Sequence, residues 1–253
     1  MNRFKSLLRS WLLAFLLPRP IIGIFYLPRY FADWRRYRAL ETRMAVDFAD
    51  SYPCLTDRVA HTPFDPHYFF QGAWLARAVH EAGSMKHVDI GSSVMSIAVL
   101  SGFVDTVFVD YRPLKANLGG FASVAGDILH LPLRQGSVES LSCLHVIEHI
   151  GLGRYGDPID VNGSRKAAGE LASLLAPGGR LYLSLPVGRS RVCFNAHRVH
   201  SPGEVVAMFP SLELQSFSCV DDAGRYHDAV DIEYAATEEY ACGMFVFGKW
   251  EET

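Results

Sequence analysis

From Lys86 onward, short β-rich apolar runs alternate with stretches of helical spacing. Residues 86–90 read as a buried strand closed by Gly91, and residues 105–110 (DTVFVD) as a second. A third short apolar stretch precedes Gly126. Residues 141–146 follow as another strand, led in by a polar turn. Residues 167–175 have helical spacing, Ala176-Pro177-Gly178-Gly179 stops them, and residues 180–185 form the next strand. Residues 212–220 and 241–250 supply two late strands, separated by an acidic stretch. Strands alternating with helices predict an α/β fold with a parallel, doubly wound sheet. Ahead of this core, residues 68–82 read as a helix and residues 31–50 as an amphipathic helical segment.

The chain opens differently. Two apolar runs, residues 11–17 and 21–27, are split by Pro18-Arg19-Pro20 and closed by Pro28-Arg29. Each is too short to cross a bilayer, and the prolines interrupt any continuous helix. No small-residue cleavage site follows the first run, which argues against a signal peptide. Three regions are expected: a membrane-interface segment over 1–30, a helical segment over 31–85 that covers the core and substrate pocket, and the main domain over 86–253.

Composition sharpens this picture. With 253 residues, 49% of them hydrophobic, the chain can bury one core and is not disordered. A net charge of −3 gives no general case for nucleic acid. The charge is uneven, however. Residues 1–40 hold eight of the 24 basic residues and one, Asp33, of the 27 acids, so a +7 head precedes a −10 body. With Trp11, Phe15, Phe25, Tyr26, Tyr30 and Trp34 beside those arginines, the head suits an anionic membrane surface. Each Arg or Lys contributes about 1 kcal/mol near such a surface. The expected location is cytoplasmic, peripheral on the cytoplasmic face of the membrane. An apolar arm packed on the domain or on a second subunit is the alternative. The five scattered cysteines read as free thiols in a reducing compartment.

Ligands of doubly wound sheets bind beyond the carboxyl ends of the strands. After the first strand comes Asp89-Ile90-Gly91-Ser92-Ser93, a turn whose acid suits a cationic or zwitterionic ligand. Asp110 follows the second strand, 21 residues after Asp89, an offset at which acids accept from ribose hydroxyls. It reads equally as an N-cap or surface acid. Asp127, in Gly126-Asp127-Ile128, can accept from an exocyclic adenine amine. Cys143-Leu144-His145-Val146-Ile147-Glu148-His149 closes the next strand.

This ordered set resembles the class I S-adenosylmethionine-dependent methyltransferases over about residues 86–187, through the acids above, His145 to His149 and the Ala176 to Leu183 segment. Gly153, Gly156, Asp157, Pro158, Ile159 and Asp160, with Phe194-Asn195-Ala196-His197-Arg198, are similar to a narrower methyltransferase-like family of unknown function associated with surface-polysaccharide assembly. The resemblance implies a Rossmann-like, seven-stranded, mostly parallel sheet with helices on both faces, and S-adenosylmethionine as cofactor. It implies that Asp89, Gly91 and Ser93 form the first cofactor loop, that Asp110 holds the ribose and Asp127 the adenine edge, and that His145 lies beside the cofactor. The family's loop reads DxGxGxG, whereas Ser93 occupies the second glycine position. Serine fits there only if its backbone avoids a positive φ.

Methyl transfer from a sulfonium is an in-line displacement, so alignment dominates and a hydroxyl acceptor needs a base. His149 and His197 are the candidate bases, although His149 also reads as a capping or core residue. Glu148 fits a backbone bond in a turn. Tyr68 and Trp74, which with His61, His67 and Gln71 precede the first strand, are candidates to stack on a sugar. Core packing also suits Trp74. Asn195 and Arg198 are candidate substrate contacts. Arg189, Arg191 and Arg198 suit either a phosphate clamp or a solvated loop. Asp157 and Asp160 lack further ligands in sequence, so no metal is expected. The expected activity is O-methylation of a sugar hydroxyl on a cell-surface glycan or glycolipid precursor, with a sugar, nucleotide-sugar or glycolipid as substrate. The alternative is a non-catalytic scaffold of the same fold in a glycan-assembly complex. A nicotinamide-dependent oxidoreductase is opposed by the missing GxGxxG.

Overall fold

The computed structural model describes residues 25–51, 53–55 and 57–250. Both apolar runs expected at the membrane lie largely outside them. The chain divides into two compact units, Met1–Pro63 and Phe64–Thr253.

In the first unit, α1 (Leu27–Leu40) carries Pro28 in its opening turn and buries no residue. The helical segment expected over 31–50 stops ten residues early. The reason is local: the Glu41 carboxylate accepts from the backbone amides of Arg43 (2.6 Å) and Met44 (3.2 Å), offering the chain an alternative to the helical ladder. A short 3₁₀ turn, Phe48–Asp50, is capped by Asp47. It brings Phe48 against Phe31 and Trp34, with ring centroids 6.1 and 5.8 Å apart.

The second unit begins with α2 (Pro66–Glu81), whose N-cap Asp65 accepts from the amides of His67 (2.9 Å) and Tyr68 (3.3 Å). There follow β1 (Lys86–Ile90), α3 (Val94–Leu100), β2 (Asp105–Asp110), β3 (Phe121–Ala125), β4 (Val138–Leu144), α4 (Gly163–Leu174) and β5 (Leu175–Val187). The hairpin β6 (Arg191–Cys193) and β7 (His197–Val199) comes next, then α5 (Pro202–Val206), β8 (Glu213–Val220), β9 (Tyr226–His227) and β10 (Ala241–Gly248). One sheet runs β3-β2-β1-β4-β5-β10-β8-β9, with β6 and β7 apart from it. Strands β1 to β5 pair in parallel, and β10 inserts antiparallel between β5 and β8.

The expected α/β class stands, with eight strands in the sheet where seven were expected. The extra one, β9, is a two-residue edge pairing Cys219 with His227 and Val220 with Tyr226, too short to show a period. The proposed helix stop at 176–179 lies instead inside β5. Val138 pairs with Leu175 and Ser140 with Arg180, so these four residues bulge out, with Gly178 at φ +73°.

Period-2 alternation on β10 divides the core. Cys242, Met244 and Val246 face Trp74, Leu75 and Val79 of α2 and Ile97 of α3. Phe245 and Phe247 face the opposite cluster, with Ala167 and Leu171 of α4. Helices thus cover both faces, although the β2–β3 and β3–β4 links are irregular. Trp74 is 6% exposed and meets Tyr182 edge-on at 6.1 Å, so it is a core residue and not a sugar platform.

Candidate active site

A cleft of about 470 Å³ opens at the carboxyl ends of β1 and β4. One wall is the turn from β1 into α3, through Gly91, Ser93 and Val94. The other is built by His67 and Tyr68 of α2, by His145, Glu148 and His149 beyond β4, and by His197 of β7 and Tyr240.

The first wall depends on a buried polar chain. Asp89 is fully buried and accepts from Ser92 N (3.0 Å), Ser92 Oγ (2.6 Å) and the Ser142 hydroxyl. Ser92 Oγ in turn accepts from Leu144 N at 2.9 Å, tying the turn to β4. Burial pushes the Asp89 carboxyl up to about 6, against the pull of those hydrogen bonds. Because Ser142 Oγ donates to Asp89, it accepts from Nε2 of His87 (2.8 Å), whose Nδ1 is 2.8 Å from Ser140 Oγ. Burial takes His87 down to about 3.

Gly91 sits at φ +68°, where a Cβ would come within 3.3 Å of Val146 and 3.6 Å of Asp110 Oδ2. Ser93 takes φ −61° and ψ 117° as the N-cap of α3, so serine at the glycine position carries no left-handed strain. Asp110 ends β2 and accepts from Arg112 N at 2.6 Å. Asp127 is exposed and caps its own turn through Leu129 N at 2.9 Å. Gly91 and Ser93 line the cleft, Asp89 lies beneath them, and Asp110 and Asp127 stand outside its lining.

On the second wall, His145 leaves β4 in a left-handed conformation (φ 55°). Its Nδ1 lies 3.1 Å from Glu148 Oε1 and its Nε2 3.3 Å from Cys242 Sγ. Burial disfavours charge on His145, but Cys242 and Glu148 outweigh it and hold the pKa well above the imidazole range. Glu148 occupies the 3₁₀ turn Ile147–His149, fully buried, and is also 3.7 Å from His149 Nε2. Neither carboxylate oxygen takes a well-aligned hydrogen bond, so the expected backbone bond of Glu148 is absent. His149 Nδ1 is 2.6 Å from the Ala196 carbonyl, which places the ring proton there and leaves Nε2 as the proton acceptor.

The His197 ring lies 5.1 Å from Tyr240 and 6.5 Å from His149. Burial lowers the pKa of His197, and burial with the neighbouring His145 lowers that of His67. Burial raises the Tyr240 phenol to about 12, aided by Glu148. Tyr68 is 49% exposed and lies 5.5 Å from the His145 ring.

Two proposed substrate contacts lie elsewhere. Asn195 is exposed at φ 63° in the β6–β7 turn, outside the cleft lining. Arg198 is buried and donates to the carbonyls of Ile150 (2.6 Å) and Asp160 (3.0 Å) and to Ser164 Oγ (3.3 Å). Its guanidinium staples the 151–160 loop, buried and outside the cleft lining, and so is not placed to clamp a phosphate there. Arg189 forks onto Glu239 at 3.1 and 2.8 Å, and Arg191 donates to the Glu239 carbonyl at 2.6 Å. Asp157 is spent on the amides of Gly151 and Gly153 (2.7 and 3.3 Å), and Asp160 on Lys166 (2.6 Å). Sequence reasoning gave no role to Tyr240 and Cys242. Cys242 meets His145 from β10, Tyr240 just ahead of that strand packs on His67 and His197, and nothing in their local sequence signals it.

The sequence model of a family described as "Caenorhabditis protein of unknown function, DUF268" matches residues 135–240, which hold Glu148, His149 and His197. No curated protein matches. Solved structures do. The N-methyltransferase NodS from Bradyrhizobium japonicum WM9, in complex with S-adenosyl-L-homocysteine, is 15% identical, with a TM-score of 0.52 over 73% of this chain and 88% of that one. The YcgJ protein from Bacillus subtilis is 16% identical, with a TM-score of 0.51 over 73% and 100%. The [4+2]-cyclase SpnF is 10% identical, with a TM-score of 0.56 over 78% and 86%. The fold is that of the class I methyltransferases. In this fold the cleft occupies the expected ligand side, beyond the carboxyl ends of the parallel strands.

Proposed function

We propose that the protein is an S-adenosylmethionine-dependent methyltransferase. Its acceptor is a sugar hydroxyl on a cell-surface glycan or glycolipid precursor, presented at the cytoplasmic face of a membrane. The observation that carries this reading is the two-sided cleft on a methyltransferase topology: a side-chain-free turn at Gly91 on one wall, a cluster of imidazoles on the other. The turn fits the cofactor, because a Cβ at Gly91 would fill the space between Val146 and Asp110. Gly91 and Ser93 would hold it, with Asp110 toward the ribose and Asp127 toward the adenine. When bound, it supplies a methyl group on a sulfonium. Asp89 acts from below, fixing the turn through Ser92 and Ser142. His149 accepts the hydroxyl proton at Nε2, since its Nδ1 is committed to Ala196. Tyr68 offers a half-exposed ring to a sugar face.

A second reading, a non-catalytic scaffold of the same fold, is favoured by Asp89 lying beneath the turn and Asp127 facing solvent. The cyclase among the similar structures supports it too, because the fold alone does not fix one reaction. Calorimetry of the intact protein with S-adenosylmethionine and S-adenosylhomocysteine is the first test. Binding is expected, weakened by Asp110→Ala, and its absence defeats the proposal. Labelled-methyl transfer into an extract of glycan and glycolipid intermediates then separates the readings. Binding without any transfer favours the scaffold.

A further inference from the structure

We propose that His67, His145 and Cys242 form a zinc site at the floor of the cleft. This goes beyond the methyltransferase reading and does not depend on it. The three ligating atoms, a ring nitrogen from each histidine and the cysteine sulfur, lie within 4.8 Å of one another. One edge is already formed, with Nε2 of His145 3.3 Å from Sγ of Cys242. Zinc bonds of about 2.0 Å to nitrogen and about 2.3 Å to sulfur, at tetrahedral angles, give such an edge a length near ~3.5 Å. The remaining edges are no longer than 4.8 Å, so closing them to that length calls for a shift of at most about 1.5 Å.

Three separate elements converge to make the site. His67 lies in the first turn of α2, held by the Asp65 cap. His145 is aimed by its left-handed backbone beyond β4. Cys242 is fixed on β10 between Pro186 and Val220. The rest of the arrangement is that of a ligand set with its outer support. Glu148 Oε1 stands 3.1 Å from Nδ1 of His145, the nitrogen that faces away from Cys242. A carboxylate in that position fixes the tautomer and orientation of a ligating imidazole. Glu148 is fully buried, and it faces two imidazoles, His145 at 3.1 Å and His149 at 3.7 Å. A buried carboxylate needs a compensating positive charge, and a divalent cation one ring away supplies it.

One thiolate with two imidazoles suits zinc and not magnesium or calcium, which take oxygen ligands. His67 and His145 line the cleft while Cys242 is buried behind them. The fourth position therefore opens to the cleft, where water or a substrate hydroxyl or thiol would complete the shell. Three protein ligands with one open position is the arrangement of reactive zinc sites.

The test uses the full chain, stripped with chelator and titrated with zinc against a chromogenic competitor, then with cobalt as an optical probe. One zinc per chain is expected, with a thiolate-to-cobalt charge-transfer band that persists in Cys219→Ala and vanishes in Cys242→Ala. His67→Ala changes a half-buried residue on the cleft wall, and is expected to weaken zinc binding by more than tenfold. Glu148→Gln is expected to weaken it by about 10- to 100-fold. Wild-type protein that takes up no stoichiometric zinc, or whose cobalt spectrum lacks the sulfur band, overturns the proposal. So does zinc affinity unchanged in both His67→Ala and Cys242→Ala. The wild-type spectrum decides the matter even if Cys242→Ala fails to fold.

Discussion

His87 and Asp89 share one hydroxyl. Ser142 Oγ accepts from His87 Nε2 at 2.8 Å and donates to Asp89, and all three side chains are buried. The two ionisable groups respond to acid in opposite directions. His87 is depressed from 6.5 to about 3, so the unfolded chain takes that proton first and stability is lost as pH falls below 6.5. Asp89 is raised from 3.8 to about 6, so the folded chain takes that proton first and stability is gained as pH falls from 6 toward 3.8. Their contributions largely cancel between those limits. Asp89→Asn leaves His87 alone and is expected to lose about 2 kcal/mol between about pH 7 and about pH 5. His87→Gln leaves Asp89 alone and is expected to gain stability over part of the same interval. Urea midpoints at the two pH values check this. Parallel profiles for both variants and the wild type would sink it.

Gly91→Ala tests the turn that borders the cleft. The substitution forces alanine to φ +68° and its Cβ to 3.3 Å from Val146, at a cost of about 1–2 kcal/mol for the left-handed backbone alone. Gly83→Ala is the control, since Gly83 has φ +66° but open space around it. Both variants should melt lower. Only Gly91→Ala should also lose S-adenosylmethionine binding, read by calorimetry. Equal affinities in the two variants would remove Gly91 from the cofactor site.

Where a short β-rich run is closed by a turn signal, the sequence is a sufficient guide. Strands β1 and β2 have the expected bounds, and each buries three of its residues. The two-residue β9 and the β6–β7 hairpin left no periodic trace. Helix α1 ended early on a contact that composition does not show, the Glu41 carboxylate bonding forward to Arg43 and Met44. The ends of the parallel strands could be read, so the turn at Gly91 and the His145 to His149 segment were found. Their partners could not be, because Cys242 reaches His145 from β10, which inserts between β5 and β8 late in the chain, and Tyr240 just ahead of it packs on His67 and His197. Arg198 was misread for a related reason. A cationic side chain in a polar loop looks solvated until the carbonyls that bury it are placed.

Arg198→Ala strands the carbonyls of Ile150 and Asp160, which it now satisfies from a site only 6% exposed. Each unsatisfied buried group costs about 1–3 kcal/mol, so a loss of roughly 2–4 kcal/mol is expected. Arg198→Lys should recover little, because an ammonium cannot span both acceptors as the planar fork does. Chemical denaturation measures the loss. A variant of wild-type stability with a raised substrate KM would restore the phosphate-clamp reading.

Arg35, Arg36 and Arg38 lie exposed on α1, within the +7 head of the chain. If the head docks on an anionic membrane surface, each contributes about 1 kcal/mol and is screened by salt. The full chain should sediment with vesicles containing phosphatidylserine and stay in solution with neutral ones. Replacing all three arginines by glutamate should release it, as should high salt. Equal sedimentation with both vesicle types would refute the electrostatic part of the proposal.

His149→Gln addresses the chemistry. The Nδ1 proton of His149 goes to the Ala196 carbonyl at 2.6 Å, so Nε2 is the atom left to accept a proton in the cleft. Glutamine can keep a donor toward Ala196 but supplies no basic nitrogen. With cofactor saturating, kcat is expected to fall by about 10²- to 10⁴-fold, the usual contribution of a positioned base. Cofactor affinity should stay unchanged, because the His149 ring bonds to Ala196 and not to the Gly91 turn. His197 lies 6.5 Å from His149 and packs on Tyr240, so His197→Gln should cost less and act mainly on KM. If His149→Gln turns over at the wild-type rate while His197→Gln does not, the proton is taken at the β7 side of the cleft and the two roles exchange.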